Sequence, residues 1–459
     1  MKYLIFLAVI GCTFAQIPSL ANLFGPFDSK PYLTTTESPT NSLYINWNTE
    51  TEESTIVAYD TTALLGDTVR ISGVLNYHHV MLTDLLPATE YFYRVVPWGD
   101  VKQFTTFPTQ TETFSYVVFG DTRTDSVAHQ SVVDRMAAYE FQLVMHSGDL
   151  VSNGGSTSDW RTFFNVEDTM LQNHHFLPAI GNHESPFWPY DTLFTLPDSE
   201  DYYAVNFGNS HFVILNTEMD LYGAQRDWLI DDLFTASSDP SIDWIFVNLH
   251  RPPYSSGNHG SQLDVRNAWC PLFETYGVDI VFAGHDHSYE RTIPINGVIY
   301  IVTGGGGAPL YDVDSSTWTA YSEKTRHFCL IDITANKLLL RAIKPDGTVF
   351  DTLVIDEPIR IEEATSFRHD GFTIAPNPFV HNLTISYAIS VNQNIHLRIC
   401  DSVGRCVKTL VHGQQPPGNY TLTWAGTDES GDVLKAGTYY VVLEHGTEIL
   451  RRKIVKIDK

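Results

Sequence analysis

Positive charge is scarce in this chain. Its 459 residues carry 28 Lys and Arg against 54 Asp and Glu, a formal net charge of −26. That field repels phosphate backbones and anionic lipid heads, so nucleic acid and membrane surfaces are poor partners. An anionic ligand would need a local positive centre. Cysteine is scarcer still: there are five, and no C-x-x-C pair, so a thiolate zinc site is not expected. Cys270 and Cys329 sit in apolar runs and read as core. Cys400 and Cys406 flank the turn "DSVGR"; they either form a cross-hairpin disulfide in an oxidising compartment or stand as two half-buried hydrophobes. Long apolar runs are missing as well. The N-terminal "MKYLIFLAVIGCTFAQ" is too short to span a bilayer. Its single Lys, short apolar stretch and small-residue exit near Ala15 predict a secretory signal over residues 1–15. The stretch "VIGC", ending at Cys12, also resembles a lipoprotein cleavage box.

What is present is apolar and aromatic: 43% hydrophobic residues and 13% aromatics supply a large core, in a length suited to about three domains. Residues 28–108 alternate in short runs ("SLYINWNT", "EYFYRVVP") split by turn residues, which predicts a small β-sandwich. The segment "LTDLLPATEYFYRVVP" resembles the end of a fibronectin type III domain. From 112 to 355, buried-strand runs such as "FSYVVFG", "FQLVMHSG" and "DIVFAGH" alternate with helix-like stretches, which predicts α/β layering. The charged stretch 356–370 reads as a linker. Residues 371–459 return to strand alternation and predict a second β-sandwich. Its "APNPF" start and "TWAGTD" and "GTYY" landmarks resemble the Ig-like domain of flagellar hook-capping proteins and type IX secretion sorting domains. That resemblance implies a bacterial secreted or cell-surface protein, with secretion machinery or a surface attachment as partner of this tail.

The chemistry gathers in the middle segment. In chain order it reads "GDTR" (Gly120–Arg123), "SGDLVSNG" (Ser147–Gly154), "GNHES" (Gly181–Ser185), "VNLHRPPYSSGNHG" (Val247–Gly260) and "FAGHDHSYERT" (Phe282–Thr292). Each piece follows an apolar run, and strand C-termini are where open α/β sheets place their chemistry. A lone Gly-Asp is a turn and a lone strand-end His is ordinary; five such pieces in this order are not. Two Asp, one Asn and three His form a mixed oxygen and imidazole set that suits Zn, Fe or Mn rather than Ca.

This order resembles the calcineurin-like metallophosphoesterases, in the branch near purple acid phosphatases. The resemblance implies a four-layer α/β sandwich around two metal ions and hydrolysis of a small phosphorylated substrate, a phosphomonoester, by metal-bound hydroxide. Carried over, Asp121 and His287 would hold the first metal, Asp149 would bridge, and Asn182, His250 and His285 would hold the second. His183 and His259 would contact phosphate or protonate the leaving group. A phosphodiesterase or nucleotidase, or an inactive surface binding module, are the alternatives. Two positions depart from the pattern. Ser152 stands where the purple enzymes have a ligating Tyr, so no purple colour is expected. Arg123 stands where wider relatives often have a ligating His; a guanidinium has no lone pair to offer. Weaker binding at the first metal is therefore expected, with Arg123 either gripping phosphate or turned away to pair with Asp125. Among softer features, "TGGGGAPLY" (Thr303–Tyr311) reads as a flexible turn beside the site. Tyr254 would line the entrance, Tyr289 and Arg291 would shape the rim or pack the loop, and His174 and His175 are expected to be exposed.

Overall fold

The computed structural model describes residues 24–97, 99–111, 113–358, 372–375, 379–389, 391–401, 405–445 and 448–456. The expected signal segment with Cys12, and the linker beyond residue 358, lie outside the described residues. The chain divides into two compact units, 1–360 and 361–459, and the division falls within the charged linker.

The N-terminal part of the first unit gives β1 (Tyr32–Thr34), β2 (Leu43–Asp60), β3 (Asp67–Leu82), β4 (Glu90–Val95) and β5 (Lys102–Thr105). There follow β6 (Thr113–Phe119), α1 (Ser126–Met136), β7 (Leu143–His146), α2 (Thr157–Val166), α3 (Asp168–Leu171), β8 (His175–Pro178) and α4 (Trp188–Leu193). The second half holds β9 (Tyr203–Phe207), β10 (Ser210–Ile214), α5 (Ala224–Ser238), β11 (Trp244–Leu249), α6 (Leu263–Tyr276), β12 (Ile280–Ala283), β13 (Tyr289–Thr292) and β14 (Ile299–Thr303). Last come β15 (Thr319–Glu323), β16 (Phe328–Thr334), β17 (Lys337–Ile343) and β18 (Val349–Ile355).

These strands build two sheets. One runs β18-β17-β16-β6-β7-β8-β1-β2-β4-β5, with β3 on β2; the other runs β15-β13-β14-β12-β11-β10-β9. Within them β6-β7-β8 and β10-β11-β12 are parallel, so their C-terminal ends point the same way within each sheet. Parallel strands are buried on both faces, which is why these runs are continuously apolar in the sequence. Alternation along β6 sends Tyr116 toward the other sheet, where its ring meets Phe212 and Phe246 at 5.2 and 5.3 Å. The next residue but two, Phe119, instead packs near His129 of α1. On the far side of the second sheet, Leu229 and Leu233 of α5 and Trp269 and Phe273 of α6 cover Val213, Val247 and Val281. The result is helix, sheet, sheet, helix.

The N-terminal strands keep an apolar core of their own, built on Leu43, Ile45, Trp47, Val80, Tyr93 and Phe104. They nevertheless continue the first sheet, because β1 pairs with β8 in parallel (Leu33 with His175, Thr34 with Phe176). That pairing explains a departure from expectation: His175 is buried, its Nε2–H donating to the carbonyl of Thr105 at 2.9 Å. His174 is part-buried and donates from Nδ1 to the Met170 carbonyl.

The second unit is a β-sandwich, as its alternation requires. Strands β19 (Thr373–Ala375), β20 (Leu383–Ile389), β21 (Gln393–Asp401), β22 (Cys406–Gln415), β23 (Gly418–Trp424), β24 (Gly437–His445) and β25 (Glu448–Lys456) form sheets β19-β20-β23 and β22-β21-β24-β25. Leu383, Ile385, Ile395, Leu397, Trp424, Val441 and Leu443 fill the space between them. Cys400 and Cys406 stand opposite each other in the β21–β22 register. Among the described residues no helix is long and apolar enough to cross a membrane.

Buried imidazoles make this fold acid-sensitive. Burial holds His78, His175 and His327 each at about 4. The Nδ1 of His175 is buried with no hydrogen-bond partner among the described residues, so protonation there would bury an unpaired charge. The unfolded chain takes up these protons near pH ~6.5. Stability is therefore full above that value and lost as pH falls toward the folded values. Thermal unfolding should show Tm falling between pH ~6.5 and ~4, with a shallower fall in His175→Gln; a flat profile over that window would contradict the assignment.

Candidate metal centre

All the expected site loops meet at the C-terminal ends of the two sheets. Asp121 follows β6, Asp149 follows β7, and Asn182 opens a short 3-10 turn (Asn182–Glu184) after β8. His250 follows β11, and His285 and His287 follow β12. Asp121, Asp149 and His285 all adopt left-handed backbone angles, φ 57°, 57° and 69°. Such angles are uncommon for residues with a Cβ and persist only where the surroundings fix them. Here Asp121 N–H donates to the Gly148 carbonyl, and His285 N–H donates to Asp121 Oδ2 at 2.8 Å. Gly148 has φ 85°, and a Cβ there would lie 2.8 Å from the His250 ring, so only glycine fits.

One half of the centre is a nest of lone pairs. His250 donates Nδ1–H to the Ser147 carbonyl at 2.8 Å, which leaves its Nε2 bare. Around that nitrogen lie Asn182 Oδ1 at 3.1 Å, His285 Nδ1 at 3.2 Å and Asp149 Oδ1 at 3.3 Å. Ligands on a tetrahedron with bonds of about 2.0–2.1 Å would sit about 3.3 Å apart. The three distances from His250 Nε2 match that spacing, and the oxygen and imidazole donors suit an ion. Burial, and next the His250 ring, push His285 down to about 2, so it offers a lone pair rather than a charge. Burial pulls Asp149 upward, but the imidazoles of His250 and His183, the His183 amide and Arg123 outweigh it and leave the carboxyl below its usual range.

The other half holds Asp121 and His287. His287 donates Nδ1–H to the Pro309 carbonyl at 2.7 Å, so its Nε2 faces inward, 3.4 Å from Asp121 Oδ1. That oxygen is buried with no hydrogen-bond partner among the described residues. A buried orphan carboxylate oxygen beside an imidazole lone pair also suits a cation. Arg123 does not turn away to Asp125, as one expectation had it, because Asp125 caps α1 by accepting from the amides of Val127 and Ala128. Instead its Nε donates to Asp149 Oδ2 at 3.0 Å and its Nη2 to His287 Nε2 at 3.3 Å.

The two remaining histidines lie on the solvent side. His183 donates Nδ1–H to the carbonyl of Ser152 at 2.8 Å, leaving Nε2 for the site, 3.9 Å from Asp149 Oδ2. His259 is exposed and stacks on the His285 ring at 4.2 Å. All nine sequence-derived site residues are thus brought together.

Several supporting residues escaped sequence reasoning. Glu184 is fully buried and accepts from the amides of Gly181, Asp149 and Val151 at 2.7, 2.9 and 3.2 Å, pinning the Asp149 loop. Burial, and next the charge of Asp149, push its carboxyl well up, against the pull of those amides. Asp286 accepts from Ser255 Oγ at 2.5 Å and from the His259 amide at 2.7 Å, so it holds the loop that carries His259. Arg251 forks onto Glu218 at 2.6 and 2.7 Å and brings a third nitrogen to 3.4 Å from His285 Nε2. Tyr311 stacks on the His287 ring at 4.1 Å. Glu184, Arg251 and Asp286 lie inside recognised motifs and carried that signal; the pairing of Arg251 with Glu218 and of Tyr311 with His287 joins residues far apart in sequence and had none.

Three softer expectations change. The glycine run is a close-packed floor rather than a flexible turn: Gly306 N–H donates to Gly120 O and Ala308 N–H to Asp121 O, and a Cβ on Gly306 would lie 2.4 Å from Gly120 O. Tyr254 packs against Tyr300 and under Arg266 rather than lining the entrance. Tyr289 is buried, and with Arg291 it grips Asp351 of β18 rather than the rim.

Comparison with known proteins agrees with this geometry. Residues 114–289 match the calcineurin-like phosphoesterase family, and residues 382–448 match the FlgD Ig-like domain. An uncharacterized protein of Mycobacterium tuberculosis is 28% identical over 278 residues, 49% of this chain and 52% of its own. Purple acid phosphatase 21 of Arabidopsis thaliana is 29% identical over 257 residues, 50% of this chain and 58% of its own. The chain therefore spans little more than half the length of these curated relatives. Among solved structures, a purple acid phosphatase from yellow lupin (Lupinus luteus) seeds shares the fold, with TM-score 0.65 and 21% identity over 72% of this chain and 74% of that one.

The Asp286 contacts make a local claim. In Asp286→Ala both acceptors vanish, and the 255–259 loop should lose about 1–3 kcal/mol of local stability. Amide exchange at Gly257 and His259 should quicken while global Tm stays near that of the parent; unchanged exchange would show that other contacts hold the loop.

Proposed function

We propose that this chain, whose central domain is a calcineurin-like metallophosphoesterase related to purple acid phosphatases and whose C-terminal domain is FlgD Ig-like, hydrolyses phosphomonoesters at a two-metal centre. One observation carries the reading: three lone-pair atoms lie 3.1–3.3 Å from the lone pair of His250 Nε2, beside a second position where His287 Nε2 stands 3.4 Å from the Asp121 Oδ1 that has no hydrogen-bond partner among the described residues. Asn182, His250 and His285 would hold one ion, Asp121 and His287 the other, and Asp149 would share its two oxygens between them. Zn, Fe and Mn are the candidates, since the donor set is oxygen and imidazole. When bound, such ions supply Lewis acidity, a lowered water pKa and the positive centre that a chain of net charge −26 otherwise lacks.

The protein's own residues do the rest. His183, its Nδ1 committed to Ser152, keeps Nε2 for the substrate or a departing alkoxide. His259, exposed and stacked on His285, is the second candidate proton donor. Arg123, its Nε on Asp149 Oδ2 and its Nη1 on Thr124 Oγ1, brings a guanidinium beside the place where phosphate would bind. The same reading puts the enzyme at the cell exterior, supported by the leader-like N-terminal segment and by the FlgD Ig-like match, with the C-terminal unit as attachment.

Protein loaded with Zn or Mn should turn over an aryl phosphomonoester faster than the matching diester and should lose activity on chelation. Preference for the diester would favour a phosphodiesterase. No turnover of either by loaded protein would favour a binding module, the reading that Arg123 lying on two ligand atoms supports. The general acid can be singled out by leaving group. Its replacement by Ala should cost about 100-fold with an alkyl phosphate and far less with p-nitrophenyl phosphate. Equal losses on both substrates in His183→Ala and in His259→Ala would exclude each from that role.

A further inference from the structure

The Asp121–His287 half of the centre already holds a cation of the protein's own. Arg123 is only 14% exposed, and its three nitrogens are engaged: Nε with Asp149 Oδ2 at 3.0 Å, Nη2 with His287 Nε2 at 3.3 Å, and Nη1 with Thr124 Oγ1 at 3.3 Å. The first two acceptors are the outer oxygen of the shared carboxylate and the imidazole lone pair assigned to that half. Around His250 Nε2 no guanidinium among the described residues stands between the ligand atoms, and Arg251 meets His285 only at its other ring nitrogen, Nε2, at 3.4 Å. We propose that Arg123 competes with a metal ion for the Asp121–His287 position. Metal-free protein then takes up one ion tightly at Asn182, His250, His285 and Asp149, and a second weakly, only as the guanidinium is displaced from Asp149 and His287. This rests on the ligand assignment made above.

The physical argument has three parts. An ion entering this half must break two charge-assisted hydrogen bonds, which are the strong kind. It then finds only Asp121, Asp149 and His287, because Ser152 directs its carbonyl to His183 and its hydroxyl to Thr124, at 3.1 Å. Yet Asp121 Oδ1 stays buried and unpaired among the described residues, so the position still attracts a divalent ion more strongly than it attracts the guanidinium, which leaves that oxygen unmet. In the singly loaded state Arg123 remains beside the ion, and phosphate would meet one metal and one guanidinium.

Titration of metal-stripped protein with Zn²⁺, followed by calorimetry and by counting ions retained after gel filtration, tests this. The parent should bind in two steps about 100-fold apart, as expected if two charged hydrogen bonds must be lost, and retain one ion. Arg123→Ala should tighten the weak step while leaving the tight step in place. Arg123→His, which offers a lone pair in the same loop, should retain two ions. The tight step is an internal control for folding, since it persists only where the His250 half is intact. Two equal steps in the parent, or a weak step that neither variant moves, would overturn the proposal. Turnover is read separately. Equal loading with active hydrolysis would sink this inference and keep the proposed function; ordered loading without hydrolysis would do the reverse.

Discussion

Two buried carboxylates facing one small space are the constraint on which the centre depends. Asp121 and Asp149 are 0% and 1% exposed, and each brings an oxygen within 4.8 Å of the same His250 nitrogen. Like charges this close and this dry destabilise one another unless cations or donors intervene. The chain meets that need with oriented groups rather than bulk charge: the amides of His183 and His285, the Arg123 guanidinium, and the imidazoles of His250 and His287, whose Nδ1 protons are directed outward. The left-handed backbone at both aspartates and the glycine floor beneath them follow from the same demand, because the loops must approach within backbone contact.

Orientation of the imidazoles is the second theme. His183, His250 and His287 each commit Nδ1–H to a backbone carbonyl, of Ser152, Ser147 and Pro309 respectively. Each then presents Nε2 to the centre with its tautomer fixed, the kind of outer contact that raises ligand basicity and sets ring direction. Two of these carbonyls, of Ser147 and Ser152, belong to the loop that carries Asp149, and the third, of Pro309, to the glycine run beside it, so the loops support one another. A change in one loop is felt by the ligand of another.

Much of this was legible in the sequence, and the reason is physical. Buried parallel strands are continuous apolar runs, so their C-terminal ends are visible as abrupt stops at Gly-Asp, Gly-Asn and Gly-His. Those stops, with the His that follows β11, pointed to the six residues proposed as metal ligands and to both flanking histidines, which the fold gathers in one place. What stayed hidden depends on side chains meeting across long sequence separations. Arg251 reaches Glu218 and His285, Tyr311 covers His287, and Arg123 chooses Asp149 over its neighbour Asp125 because Asp125 is spent on a helix cap. The glycine run misled for a related reason: composition alone does not distinguish a run that is loose from one that is pressed against another loop. The parallel joining of β1 to β8, likewise, has no local signature.

The most direct test of the central claim, that these carboxylates and imidazoles form a metal centre, is anomalous diffraction from crystals of the protein loaded with Zn²⁺. The expected result is a strong peak within about 2.0–2.2 Å of His250 Nε2 and Asn182 Oδ1, touching one oxygen of Asp149. A map with Zn²⁺ elsewhere on the protein but none among these atoms would contradict the account.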